Sequence, residues 1–151
     1  MQYSANILWE NAAATAFTAK TFDRTHTITL GSSQQIAASS APEFLGNAKL
    51  ANPEELFIAS LSSCFMLTFL YLAALKNIPI KKYQAEAVGV LGKNSEGKMS
   101  MTEVTLKPVI LFDTTAPEPT VLSELIEKAH AQCFISTSVK TKITIAEPSL
   151  I

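Results

Sequence analysis

Arginine is nearly missing from this chain: Arg24 is the only one. Proteins that read phosphates or carboxylates usually deploy several guanidinium forks, and none are available here. No basic run is longer than Lys81-Lys82, and 12 Lys+Arg stand against 13 Asp+Glu for a net charge of −1. That balance lacks the electrostatic footprint of a nucleic-acid binder. Histidine and cysteine are equally scarce, two of each. His130 lies three residues before Cys133, but no third or fourth ligand accompanies them and His26 stands alone, so no metal site is expected. No Gly-rich phosphate loop, dinucleotide fingerprint or Ser-x-x-Lys site occurs, so no bound cofactor is implied. The opening MQYSANILWE has neither the basic segment nor the apolar run of a secretion signal, and the expectation is a cytoplasmic protein. In a reducing compartment two cysteines are either inert core residues or a transient redox pair.

What is present is apolar. At 151 residues the chain is long enough for one cooperative domain, taken as residues 1–151, and too short for two ordinary ones. An apolar fraction of 48% and a mean hydropathy of +0.22 are high for such a domain and point to apolar surface covered by a partner. Tyr3, Ala5, Ile7 and Trp9 alternate at period two and HTITL follows at 26–30, which predicts short strands. Residues 31–52, small and polar with Pro42 and two glycines, predict surface loops.

A helix is predicted from Pro53. Asn52 caps it, Pro53 suits its first position, and Glu55 completes a variant of the capping box. No charge appears from Leu56 to Leu75, then Lys76, Asn77 and Pro79 write the end. Twenty uncharged residues are also long enough to span a membrane. Ser60, Ser62, Ser63 and Thr68, the polar cap and the alternating flanks favour a buried helix instead, with strands on one side and another subunit on the other. Residues 83–92 and 98–112 then read as a hairpin about KNSEG. Pro108 cannot donate a ladder bond and predicts an edge or a bulge. VLSELIEKAHAQCF places Leu122, Leu125, Ile126, Ala129 and Cys133 on one helical face with Thr120 as cap, and VKTKITI at 139–145 reads as a last strand. The class is α+β, helices packed on antiparallel sheet.

The cysteines lie in SLSSCFM and AHAQCFIS. Taken alone each is an ordinary core residue, silent without a neighbour that lowers its pKa. Both fall in or at the end of helices whose apolar faces should meet, among small and hydroxylic neighbours. NPEELFIASLSSCF, followed some way on by AHAQCFIS, resembles the OsmC/Ohr family of thiol-dependent proteins that detoxify organic hydroperoxides, and FDRTH and APEFLG resemble its OsmC-like branch. The resemblance runs from about Arg24 to Val139. It implies an intertwined homodimer with long central helices between sheets, a role in the oxidative stress response, and reduction of organic hydroperoxides by a peroxidatic and a resolving cysteine of the same subunit. An external dithiol, of lipoyl type by resemblance, would recycle the pair.

Carried over by position, the peroxidatic cysteine matches Cys64, the resolving one Cys133, the glutamate of the helix cap Glu54 and the upstream arginine Arg24. Cys64 sits too deep in the helix to gain from its N-terminal dipole, so a cation must stabilise the thiolate, with Glu54 holding the guanidinium. Ten residues of helix are about 15 Å and differ widely in azimuth. Either the helix breaks between Glu54 and Cys64, or Glu54 serves the Cys64 site of another subunit, which is the favoured geometry. Phe57, Phe65, Leu67 and Phe134 would bind an alkyl chain. Three features depart from the family pattern: Phe134 follows the second cysteine where proline is typical, Arg24 sits in FDRTH where the arginine of the dedicated reductases lies in a Gly-rich turn, and Phe65 follows the first cysteine where close relatives often have histidine. The competing reading is a non-enzymatic dimer that binds a small apolar ligand between its helices while the cysteines only pack.

Overall fold

Three short strands open the chain, β1 (Ala5–Leu8), β2 (His26–Leu30) and β3 (Gln35–Ala38), paired antiparallel in the order β1-β2-β3. They belong to the first of two units, Met1–Leu56 and Phe57–Ile151, in a computed structural model that describes residues 1–11 and 16–151. Register aligns Ile7, Ile28 and Ile36 across the three strands, the apolar row that period two produces. Of the described residues in this unit only Ala38 and Ser39 are buried. β3 lies inside the stretch expected to be loop. QIAA is too short to announce itself, and pairing of His26 with Ala38 and Ile28 with Ile36 decides its conformation.

The helix expected at Pro53 is α1 (Pro53–Leu75). Its cap is reciprocal: the Asn52 amide donates to Glu55 Oε2 at 3.1 Å and the Glu55 amide to Asn52 Oδ1 at 2.9 Å, so two orphan donors are satisfied at once. At the other end Asn77 takes φ of 55°. The Ile78 amide bonds the Ala73 carbonyl and the Asn77 amide that of Ala74, a Schellman closure. α1 has the length and composition to cross a membrane.

In the second unit β4 (Ile80–Lys93) and β5 (Met99–Phe112) form the long hairpin. Asn94 Oδ1 accepts the Glu96 and Lys98 amides at its tip and Gly97 takes φ of 76° there, a conformation that suits glycine. Two strands then join β5: β6 (Lys142–Ile145) and β7 (Ser149–Leu150), both parallel to it. The sheet is therefore mixed where antiparallel pairing was expected. A parallel neighbour needs a long crossover, and α2 (Pro119–Gln132) with α3 (Phe134–Thr137) supplies it. The last strand is also shorter than the alternation of residues 139–145 predicted.

Pro108 is a second correction, since it lies buried in the central strand, in regular register with Ala85. β6 ends opposite Leu106 and β7 begins opposite Val109, so Pro108 falls in the gap where β5 has no second neighbour. The cap of α2 also differs: Glu118 holds the N-cap position, without a side-chain bond, and Pro119 opens the helix, as its fixed φ allows.

Leu61, Phe65 and Phe69 of α1 meet Val104, Leu106 and Ile110 of β5 and Leu122, Leu125 and Ala129 of α2 in one core. Spacing by four puts Leu61, Phe65, Phe69 and Ala73 on a single buried stripe of α1. Gly89 permits the approach, because a Cβ there would stand 2.7 Å from Ile58 Cγ2.

Candidate active site

The same helical spacing that buries one stripe of α1 exposes another. Ser60, Ser63, Cys64, Leu67, Thr68 and Tyr71 recur at intervals of three and four and line one wall of a cleft of about 780 Å³. Its other wall comes from the end of α2, Ala131 and Gln132, and from Phe134 and Thr137 of α3. Two hydroxyls of the first wall turn inward on the helix. Ser60 Oγ donates to the Phe57 carbonyl at 2.8 Å and Thr68 Oγ1 to that of Cys64 at 2.9 Å. This local bonding satisfies the Ser60 and Thr68 hydroxyls on the helix itself, beside the Cys64, Leu67 and Tyr71 side chains that line the same wall. Leu67, Tyr71 and Phe134 are 61%, 62% and 81% exposed.

Cys64 is half-buried in this wall and Cys133 fully buried, both as free thiols. Cys133 stands at the end of α2, as its C-cap, one of the two placements that the sequence allowed. It takes φ −71° and ψ 110° between α2 and α3, and this break turns its side chain into the core. Burial pushes the Cys64 thiol above its ordinary pKa, and the neighbouring Cys133 thiol adds to the rise; the backbone N–H groups of Ile135 and Phe134 pull it back. Desolvation disfavours the thiolate and donated hydrogen bonds favour it. Phe134, unlike a proline, has a backbone N–H to donate.

Of the apolar residues singled out for substrate, Leu67 and Phe134 share the cleft with Cys64. Phe65 does not line it: it is 1% exposed and stacked on Phe69 with centroids 6.2 Å apart. Phe57 packs against the core and lines a different pocket, beside Asn94 and Thr141. Tyr71, Thr68 and Ser60 were not singled out. Counting in threes and fours from Cys64 would have found them.

Arg24 and Glu54 belong to the first unit. The Arg24 guanidinium donates to the carbonyls of Phe22 at 2.9 Å and Ala19 at 2.8 Å and lies 4.1 Å from the centre of the Phe22 ring. It borders a pocket of about 540 Å³ with His26, Ser39, Glu43 and Pro53. Glu54 Oε2 is buried without a hydrogen-bond partner among the described residues. The expected Glu54–Arg24 bond is therefore not made within the chain; two carbonyls and a ring hold the guanidinium instead. α1 is helical from Pro53 to Leu75 without interruption, which removes the broken-helix alternative. Among the described residues no group of three His, Cys, Asp or Glu side chains is placed to hold a metal ion.

The profile of the family described as OsmC-like protein matches residues 46–147. An OsmC-like protein of unknown function from Vibrio cholerae is 37% identical over 100% of this chain and 99% of its own, with a TM-score of 0.93. An organic hydroperoxide resistance protein from Elizabethkingia anophelis is similar at 20% identity, covering 99% of this chain and 95% of its own, with a TM-score of 0.73. The organic hydroperoxide resistance protein OhrB of Bacillus subtilis is similar at 21% identity, 100% and 98% coverage and a TM-score of 0.66. Comparison with curated proteins finds no match.

Proposed function

The chain belongs to the OsmC-like protein family, and on that premise we propose that it is a thiol-dependent peroxidase that reduces hydrophobic organic hydroperoxides to alcohols. One observation carries the reading: Cys64 faces an uncharged, largely apolar cleft with the buried Cys133 thiol in reach behind it. The Cys64 thiolate attacks the terminal peroxide oxygen, the O–O bond breaks, and the alkoxide leaves as the alcohol after taking a proton. Cys64 is then a sulfenic acid. Condensation with Cys133 forms the disulfide and releases water, and an external dithiol of lipoyl type returns both thiols while it becomes a disulfide itself. The cytoplasm is the compartment that keeps such a pair reduced between turnovers.

A buried thiol needs help to ionise. We assign that help to Arg24, oriented by Glu54, across a homodimer in which each chain completes the other's site. The support is twofold. Glu54 Oε2 is buried yet unpartnered, and such an oxygen is costly to leave so. Tyr71 and Leu75 of α1 are exposed while the first unit buries almost nothing, and a second copy about a two-fold axis covers apolar surface of this kind. Membrane and nucleic acid have no part in this reading.

The test is turnover of cumene hydroperoxide with dihydrolipoamide as reductant. Wild type consumes the peroxide and Cys64→Ser does not; no consumption by wild type leaves the second reading, a non-enzymatic dimer that binds a small apolar ligand. That reading draws on the upward push of burial on the Cys64 thiol.

A further inference from the structure

Within the single chain no carboxylate among the described residues pairs with Arg24. The neighbouring Asp23 is occupied, its Oδ1 accepting the Thr25 amide at 2.8 Å, and among the described residues the three ion pairs join Lys76 to Glu124, Lys98 to Glu96 and Lys107 to Glu86. The guanidinium instead lies over the Phe22 ring and donates to two backbone carbonyls. Neutral partners fix a cation without cancelling its charge, and a guanidinium that uses part of its donor fork on carbonyls keeps N–H groups for an incoming anion.

The ring itself is fixed. Phe22 meets Trp9 edge-on at 6.2 Å and 80° and Phe17 at 5.8 Å and 56°, while Trp9 and Phe17 are 5.6 Å apart. Trp9 Nε1 donates to the Asp23 carbonyl, and the Phe22 amide bonds the Thr18 carbonyl at 3.0 Å. This trio of rings is partly exposed, Phe17 at 69%, so it does not serve as a core. Its geometric product is one ring presented to one guanidinium.

We infer that Phe22 is a positioning residue for the reaction: its ring, braced by Trp9 and Phe17, pre-sets the Arg24 guanidinium for the anion that arrives at it. This rests on the assignment of Arg24 to the Cys64 thiolate made above. A preset cation spends no ordering entropy when the thiolate forms, whereas a free arginine side chain would.

The experiment follows both cumene hydroperoxide turnover and the pH dependence of Cys64 alkylation by iodoacetamide, in full-length protein. Phe22→Leu should lower kcat/KM about tenfold, the order of a well-placed cation–π contact, and move the alkylation midpoint to higher pH. Phe22→Tyr, which keeps the ring, should stay within about twofold. The double variant Phe22→Leu/Arg24→Gln should be no worse than Arg24→Gln alone. Stepwise fluorination of Phe22, which weakens the ring quadrupole at nearly constant shape, should lower activity in steps and serves if Phe22→Leu does not fold. Loss on Arg24→Gln with no change on Phe22→Leu or across the fluorinated series overturns the inference and leaves the role of Arg24 standing. Additive losses in the double variant also overturn it. An Arg24→Gln protein as active as wild type overturns both.

Discussion

Cys133, fully buried at the break between α2 and α3, neighbours Cys64 of the cleft wall closely enough to raise its pKa. One thiol meets the cleft and the other is kept from it, an arrangement that suits an attacking and a resolving partner. Cys133→Ser should therefore consume one equivalent of cumene hydroperoxide and stop, with a Cys64 sulfenic acid that dimedone captures. Sustained turnover by this variant would show that resolution uses some other thiol.

The pH response follows from the charge balance at Cys64. In the single chain burial holds its pKa above the ordinary thiol value, so at neutral pH the thiolate is the minor form and its share grows as pH rises. An added cation reverses that direction. Arg24→Gln is expected to move the midpoint of Cys64 alkylation upward by about one pH unit or more, the shift typical of losing a nearby opposite charge. Identical midpoints in wild type and variant would remove Arg24 from the site.

Two apolar residues of α1 separate stability from activity. Phe65 is in the core, and Phe65→Ala should cost about 3–5 kcal/mol in urea unfolding. Leu67 is 61% exposed on the cleft wall, and Leu67→Ala should change stability by less than about 1 kcal/mol while it raises KM for cumene hydroperoxide more than for tert-butyl hydroperoxide. Equal effects on both substrates would mean that the cleft does not hold the alkyl group.

Shared sites make a distinct prediction for assembly. Cys64→Ser and Glu54→Ala are each expected to be inactive, and co-refolding them should restore activity, because one site of each heterodimer receives an intact cysteine from one chain and an intact glutamate from the other. Confirmed heterodimers without activity would place Glu54 and Cys64 of one chain at the same site.

Much of the fold was legible because local chemistry wrote it. The Asn52–Glu55 cap, the Asn77 closure and the Asn94–Gly97 turn each carry their own hydrogen bonds, and the sequence names the residues that make them. The misses are nonlocal. β3 exists because β2 pairs with it, β6 and β7 run parallel because of a crossover, and Pro108 tolerates a central strand because two neighbours leave a gap beside it. At the cleft, Cys64 and Cys133 were singled out by resemblance to a family. The burial of Phe65 was not legible, since which of two adjacent side chains faces the core depends on helix azimuth, and only Leu61, Phe65, Phe69 and Ala73 taken together settle it.

The most direct test of the central claim is peptide mass spectrometry of the protein after one equivalent of cumene hydroperoxide, quenched by alkylation. The account predicts a disulfide between the peptides that carry Cys64 and Cys133, formed within one subunit and reversed by dihydrolipoamide. Both cysteines recovered as reduced, alkylated thiols after prolonged exposure would contradict it.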